Sequence, residues 1–226
     1  MGILYIVPTP IGNLEDITFR AIKILKEVDL IACEDTRHTK ILLDHYQITT
    51  PTISYHQHSK IQKISFLINK LKDGKNVALV SDAGTPGIND PGGLLVQEAI
   101  KNDVQVIALP GAFAASVALS ASGFPADRFL FVGFLPKKKG RQTMLRNLMK
   151  ISQVDLYDLL VLYESPHRVL KTLQDLQLAI GNKDVVVGRE LTKKFEEIKR
   201  GKIAEVITHF KNNNPKGEFV IIIRNN

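Results

Sequence analysis

Apolar and polar positions run along this chain in two rhythms. Short apolar runs at residues 3–7, 30–33, 52–55, 77–80 and 104–108 have the length of buried strands. Between the first two, residues 18–28 place Ala21, Ile22, Leu25 and Val28 at helical spacing. Residues 36–45 and 91–101 also read as helices, and Ser59 is set to cap a helix over 59–73 that Gly74 ends. Strand and helix thus alternate from residue 3 to residue 108, which predicts an α/β sheet that is at least partly parallel. The second half repeats the alternation less regularly. Strands are expected at 129–132, 159–163, 184–188 and 219–223, and helices at 165–180 and 203–210. Ser165-Pro166 would supply a cap and a proline in the first helical position, and Gly181 a stop. Asn212 to Gly217 reads as a turn cluster. There is no internal repeat and no low-complexity linker. Gly and Pro punctuation places a boundary near residues 111–125, giving expected domains 1–115 and 116–226.

Composition narrows the class. The 226 residues are 44% hydrophobic and 23% charged, as in ordinary globular proteins. No apolar run approaches the roughly 18 residues of a membrane span. The start, Met1-Gly2-Ile3-Leu4, lacks the basic region of a secretory leader and reads as a first strand. A single cysteine, Cys33, excludes an internal disulfide framework and a cysteine-cluster metal site, and a reducing cytosol is the expected setting. His56 and His58 alternate after a strand with no third ligand nearby, so no metal is expected there. The net charge of +7 is uneven. Residues 1–110 hold 11 Lys and Arg against 12 Asp and Glu, whereas 111–226 hold 19 against 11. A basic half suits a polyanionic partner, nucleic acid first, and equally a merely soluble basic surface.

Three Gly/Pro loops follow apolar strands. They are Pro8-Thr9-Pro10-Ile11-Gly12-Asn13, the stretch from Ser81 to Gly87 continued by Ile88-Asn89-Asp90-Pro91-Gly92-Gly93, and Pro110-Gly111-Ala112-Phe113-Ala114-Ala115. Loops at the carboxyl ends of strands line the ligand crevice of an open α/β sheet, so three together predict a small-molecule pocket. None has the GxGxxG or GxxxxGK[ST] spacing, which argues against a standard NAD or ATP site.

These loops also carry a resemblance. Val7-Pro8-Thr9-Pro10-Ile11-Gly12-Asn13-Leu14, Ala32-Cys33-Glu34-Asp35-Thr36-Arg37, Val80-Ser81-Asp82-Ala83-Gly84-Thr85-Pro86-Gly87, Leu109-Pro110-Gly111-Ala112, Tyr163-Glu164-Ser165-Pro166-His167-Arg168 and Gly188-Arg189-Glu190-Leu191-Thr192-Lys193 occur in this order. Together they resemble the ribosomal RNA small subunit methyltransferase I family, the RNA-directed branch of the tetrapyrrole methylase superfamily. The resemblance implies two α/β domains of the class III S-adenosylmethionine methyltransferase type, with the cofactor in the cleft between them. It implies methyl transfer from S-adenosylmethionine to the ribose 2′-hydroxyl of a cytidine in the decoding region of 16S rRNA, as free RNA or in the small ribosomal subunit, and commonly a homodimer. By position, the resemblance assigns cofactor contact to Pro10, Ile11, Ser81, Asp82, Ala83, Gly84, Gly87, Phe113, Ala114 and Glu164. Many relatives carry a small helical extension after the final strand, expected to help grip RNA, whereas the sequence given runs to Asn226.

The chemistry needs methyl and oxygen held in line at near contact, and a base near the hydroxyl proton would help. Glu34 and Asp35 follow a strand and precede a helix, which makes both candidates for that base. The same place suits helix capping, the favoured reading for Asp35. Arg37 is a candidate for a substrate phosphate or for an ion pair with Asp35. His167 and Arg168 are candidate substrate contacts in the first turn of a helix. Lys137, Lys138, Lys139 and Arg141, followed by Arg146 and Lys150, form the densest basic stretch, and RNA phosphates are its expected partners. Two other functions fit less of the pattern: a methyltransferase of the same fold acting on a tetrapyrrole, and a non-catalytic RNA-binding or ribosome-assembly module.

Overall fold

The apolar runs of the first half become five strands in a computed structural model that describes residues 1–55, 61–154, 156–213 and 215–225. They are β1 (Ile3–Ile6), β2 (Leu30–Cys33), β3 (Thr52–Ser54), β4 (Val77–Leu79) and β5 (Gln105–Ala108). The helices between them are α1 (Phe19–Glu27), α2 (Thr36–His45), α3 (Ile61–Lys72) and α4 (Gly93–Lys101). The expected cap Ser59 and the pair His56 and His58 lie outside the described residues. The chain divides into two compact units, Met1–Phe113 and Ala114–Asn226.

In the first unit all strands are parallel, in the order β3-β2-β4-β1-β5. The strands are near-continuous apolar runs because helices cover both faces. On one face Ala21 and Leu25 of α1 and Leu43 of α2 pack on Val7, Ile31, Cys33 and Ala78. On the other, Leu67, Ile68 and Leu71 of α3 and Leu95 and Ala99 of α4 pack on Leu4, Ala32, Val77 and Leu79. The neighbours β1 and β4 therefore send their chains to opposite faces, β1 to α1 and β4 to α4. Adjacent strands that part in this way open a crevice beyond their carboxyl ends.

Local signals set the helix ends. Thr18 caps α1 by accepting the Ala21 N–H at 3.0 Å. Asp35 caps α2, accepting the Arg37 N–H at 2.9 Å, and also takes the Arg37 guanidinium at 3.1 and 2.7 Å. The helix expected from residue 91 starts at Gly93 instead. Gly92 adopts φ 145°, which is not helical, and Pro91 closes a turn by accepting the Gly87 N–H.

The second unit holds α5 (Ala114–Ser122), β6 (Phe129–Phe134), α6 (Arg141–Ile151), β7 (Leu159–Glu164), α7 (Val169–Ile180), β8 (Asp184–Arg189), β9 (Glu197–Lys202), α8 (Ile203–Asn212) and β10 (Phe219–Arg224). The sheet order is β6-β7-β10-β8-β9, with β6 and β7 parallel and the other pairs antiparallel. Leu145 and Leu148 of α6, Val169, Leu173 and Leu176 of α7, and Ile203, Val206 and Phe210 of α8 pack on Leu160, Leu162, Val185, Val187, Ile221 and Ile223. α5 lies against β7, β8 and β10.

Three of these elements escape the sequence pattern. α5 is built from small residues without an apolar stripe. α6 hides in the basic stretch, and β9, Glu-Ile-Lys-Arg-Gly-Lys, is an edge strand protected by charge. α7 opens at Val169 and not at Pro166: residues 166–168 form a turn in which the Ser165 carbonyl accepts the Arg168 and Val169 N–H groups. Among the described residues no helix is long and apolar enough to cross a membrane, and no group of three or more His, Cys, Asp or Glu could hold a metal ion.

Two outcomes follow for stability. Leu162 is fully buried in the centre of the second sheet, so Leu162→Ala is expected to lower unfolding free energy by about 2–5 kcal/mol in urea titrations. A loss under about 1 kcal/mol would contradict this packing. The hydrogen bond and charge of Arg37 hold the Asp35 carboxyl well below its usual range. Its stabilisation is thus present above the unfolded value of about 3.9 and lost as pH falls through the lower folded value. Asp35→Asn should melt below the parent protein at pH 7, and the gap should narrow progressively as pH falls below about 4. A pH-independent gap would refute the ion pair as its cause.

Candidate active site

The three Gly/Pro loops meet at the crevice between β1 and β4. Thr9 of the first and Gly84 of the second exchange both backbone hydrogen bonds, each at 2.9 Å. The Thr9 hydroxyl donates to the Ser81 carbonyl at 3.0 Å, and the Thr85 hydroxyl donates to the carbonyl of Ala112 in the third loop at 2.9 Å. Two glycines permit this assembly. A Cβ on Gly111 would lie 2.4 Å from Cβ of Pro8, so the third loop can press on the first only without a side chain. Gly84 sits at φ +83°, and a Cβ there would come within 3.6 Å of Ile11 and 3.7 Å of the Ala112 carbonyl.

Asp82 joins α2 to this assembly, its Oδ1 accepting the Asp35 N–H at 3.0 Å. Between the loops and α2 lies a cavity of about 250 Å³. Thr9, Pro10 and Gly12 line it from the first loop, Leu14 from just after it, and Ser81 and Asp82 from the second. His38, Thr39, Ile41 and Leu42 of α2 form the remaining wall. Apolar walls with a few convergent polar groups suit a nucleoside-sized ligand. Pro10, Ser81 and Asp82 thus line the cavity, while Ile11, Ala83, Gly84 and Gly87 belong to the same loops and shape them. Phe113 ends the first unit and Ala114 opens α5. The α2 wall escaped the sequence reading. Its signal was Ile41, apolar yet outside the buried positions Thr39, Leu42 and Leu43, and one turn from His38.

Glu34 is half-buried between β2 and α2. The Asp35 carboxylate holds the helix cap and the Arg37 guanidinium, which keep it ionised and lower its affinity for a proton. Arg37 makes the ion pair considered for it and still leaves its side chain 90% exposed.

In the second unit the strand registers bring the remaining motifs to one end of the sheet. Phe134 pairs with Tyr163, Glu164 with Phe219, Phe219 with Arg189, and Arg189 with Glu197. Residues 135–140, 165–168, 190–196 and 215–218 are therefore neighbouring connections. Glu164 is buried, and its carboxylate accepts from the Ser165 N–H at 2.8 Å, the Thr172 hydroxyl at 2.6 Å and Arg168 at 3.0 Å. These bonds make it an internal brace. Arg168 also donates to the Leu135 carbonyl at 2.5 Å, so its guanidinium is engaged within the protein. Arg141 departs from the expectation of substrate contact. It is only 6% exposed, pairs with Asp175 at 2.8 Å, and donates to Thr172 and to the Pro136 carbonyl. Gly140, at φ +85°, turns the chain before it, which separates Arg141 from the lysines it follows. Lys137, Lys138, Lys139 and His167 are exposed.

Residues 3–207 match the profile of the Tetrapyrrole (Corrin/Porphyrin) Methylases. The ribosomal RNA small subunit methyltransferase I of Synechocystis sp. is 51% identical over 225 residues, covering 99% of this chain and 79% of that one. Its counterpart from Thermotoga maritima is 46% identical over 223 residues, covering 99% of this chain and 98% of that one. The fold is similar to that of a uroporphyrin-III C-methyl transferase from Thermus thermophilus complexed with S-adenyl homocysteine. That structure has a TM-score of 0.67 at 18% identity, over 98% of this chain and 97% of that one. The parallel first sheet, the crevice loops and this similarity along nearly the whole chain have one explanation: the chain belongs to the ribosomal RNA small subunit methyltransferase I family of tetrapyrrole methylases.

Proposed function

We propose that the chain transfers a methyl group from S-adenosylmethionine to the 2′-hydroxyl of a cytidine in the decoding region of 16S rRNA, as free RNA or in the small subunit. The observation that carries this reading is the 51% identity to a protein of that name across 99% of the chain. A cytosolic setting fits its one cysteine, Cys33, which is buried and free.

The bound cofactor supplies a methyl group already activated as a sulfonium. The chain's task is to hold the acceptor oxygen in line with it, at about 3–3.5 Å, and to manage one proton. The cavity beside the Thr9–Gly84 bridge, with Ser81 and Asp82 as its polar groups and Pro10 and Leu14 as its apolar wall, fits the nucleoside portion of the cofactor. Asp82, fixed by the Asp35 N–H, is placed to accept from a ribose hydroxyl. Glu34 takes the base role in this reading, because Asp35 is committed to Arg37. Lys137, Lys138 and Lys139 neutralise RNA phosphates, with exposed Arg37 and His167 as further contacts.

Tritiated cofactor should be offered in parallel to small subunits, naked 16S rRNA and uroporphyrinogen. Label in either RNA sample supports the reading, and label in the tetrapyrrole alone overturns it. In the same assay Glu34→Gln should slow turnover by about a hundredfold or more, as loss of a general base does; near-parent turnover would refute that assignment. Alanine at Lys137, Lys138 and Lys139 together should weaken RNA binding and reduce the slope of log affinity against log salt by about two for a single strand. Cofactor affinity should stay unchanged, and equal loss of both would count against phosphate contact.

A further inference from the structure

A lone exposed phenylalanine is ordinary on a protein surface. Phe195 differs in how it is held. It is 67% exposed in the connection between β8 and β9. The chain there takes a left-handed backbone at two non-glycine residues, Glu190 at φ 48° and Thr192 at φ 65°. A β-branched residue seldom adopts that conformation, and it persists only where surrounding bonds enforce it. They are present here. Glu196 accepts the Thr192 N–H at 2.6 Å, and Glu190 accepts the Glu218 N–H at 2.9 Å. Lys193 bridges Glu190 and Glu218 at 3.0 and 2.8 Å. Leu191 is buried against Gly188, where any Cβ would meet it at 3.0 Å. The loop is thus tied to its own strand and to the turn before β10, and what it displays is an aromatic ring.

Lysines flank the ring, and most of the carboxylates near it are engaged. The Lys194 ammonium lies 5.6 Å from the ring centroid, and exposed Lys216 sits on the neighbouring turn, whose carbonyl accepts from Arg189 at 2.7 Å. The carboxylates of the loop are engaged: Glu190 by Lys193, Glu196 by the Thr192 N–H, and Glu197 by Arg189 and His209. The strand register places this loop on the same sheet end as Lys137, Lys138 and Lys139, three to four strand intervals away, roughly 14–19 Å. One end of the sheet thus offers lysines at one side and a rigid, lysine-flanked aromatic ring at the other.

We infer that Phe195 is a stacking platform for a nucleobase of single-stranded RNA whose phosphates run along this sheet end toward Lys137–Lys139. The inference rests on the RNA-directed reading proposed above and adds a contact to a base where that reading supplies only contacts to phosphate. Every nucleobase has a π-face, so the contact anchors the strand without selecting sequence. The lysine chemistry and the exposed ring favour this occupant over an apolar protein surface, which the surrounding charge would disfavour.

The chain contains no tryptophan, so Phe195→Trp gives a single reporter that keeps an aromatic plane. Its emission should be quenched when a mixed-sequence single-stranded RNA oligonucleotide is titrated in, and left unchanged by cofactor alone. Phe195→Ala should raise the apparent KM for small subunits about tenfold while cofactor affinity stays at the parent value, and Phe195→Tyr should restore it. Unquenched emission, or an alanine variant within twofold of the parent KM, would overturn the inference. So would a parallel loss of cofactor affinity, which would make the ring a structural prop. Failure of the parent protein to label any RNA would instead sink the proposed function, and the fluorescence titration reads the stacking contact independently of methyl transfer.

Discussion

The first unit depends on one reciprocal contact, the pair of backbone hydrogen bonds between Thr9 and Gly84. Adjacent parallel strands that send their chains to opposite faces leave their carboxyl ends apart. Without a tie, the loops there would be two unrelated flexible connections. The bridge makes them one body, the Thr85 hydroxyl adds the third loop through Ala112, and Asp82 adds α2 through the Asp35 N–H. A pocket assembled from four chain segments is thereby held by one backbone bridge and two side chains, Thr85 and Asp82, each bonded to another segment's backbone. The backbone bridge does not depend on the side chains of Thr9 and Gly84, whereas the other two ties depend on Thr85 and Asp82 themselves.

The second unit reaches a similar end by ionic means. Glu164 takes Arg168 and the Thr172 hydroxyl, Asp175 takes Arg141 from 34 residues away, and Thr172 links the two by donating to Glu164 and accepting from Arg141. Removing one partner would strand a charge in a site with little access to water, which is the condition under which such networks matter most to stability. The network binds α6, α7 and the end of β7 together at the root of the basic loop.

Much of this was legible in the order of residues, and the reasons differ by element. The helix over 36–45 agrees to the residue, because Asp35 caps it and its apolar positions recur at helical spacing. The central strands agree because burial on both faces demands unbroken apolar runs. α5 was not legible: Ala114-Ala115-Ser116-Val117-Ala118 packs by being small, which leaves no stripe to read. β9 was masked because an edge strand carries charge for protection against mispairing. In the site, the loops that meet at the crevice could be found from glycine, proline and the strands before them. The role of Arg141 could not. It looks like the end of a lysine run, and its burial comes from Asp175, 34 residues away, and from a glycine that reverses the chain in front of it.

The anchoring of that basic loop has a consequence for how a polyanion would be met. The carbonyls of Leu135 and Pro136 are held by Arg168 and Arg141, so the backbone just before Lys137 is set when the unit folds. The three lysine stems beyond it stay free to swing. An arriving strand of phosphates need not order the root of the loop, so that part of the entropy loss on association has already been incurred during folding. What remains is largely the release of counterions, a contribution that depends on ionic strength and hardly on base sequence. A surface of this kind would capture a polyanion quickly without selecting its base sequence.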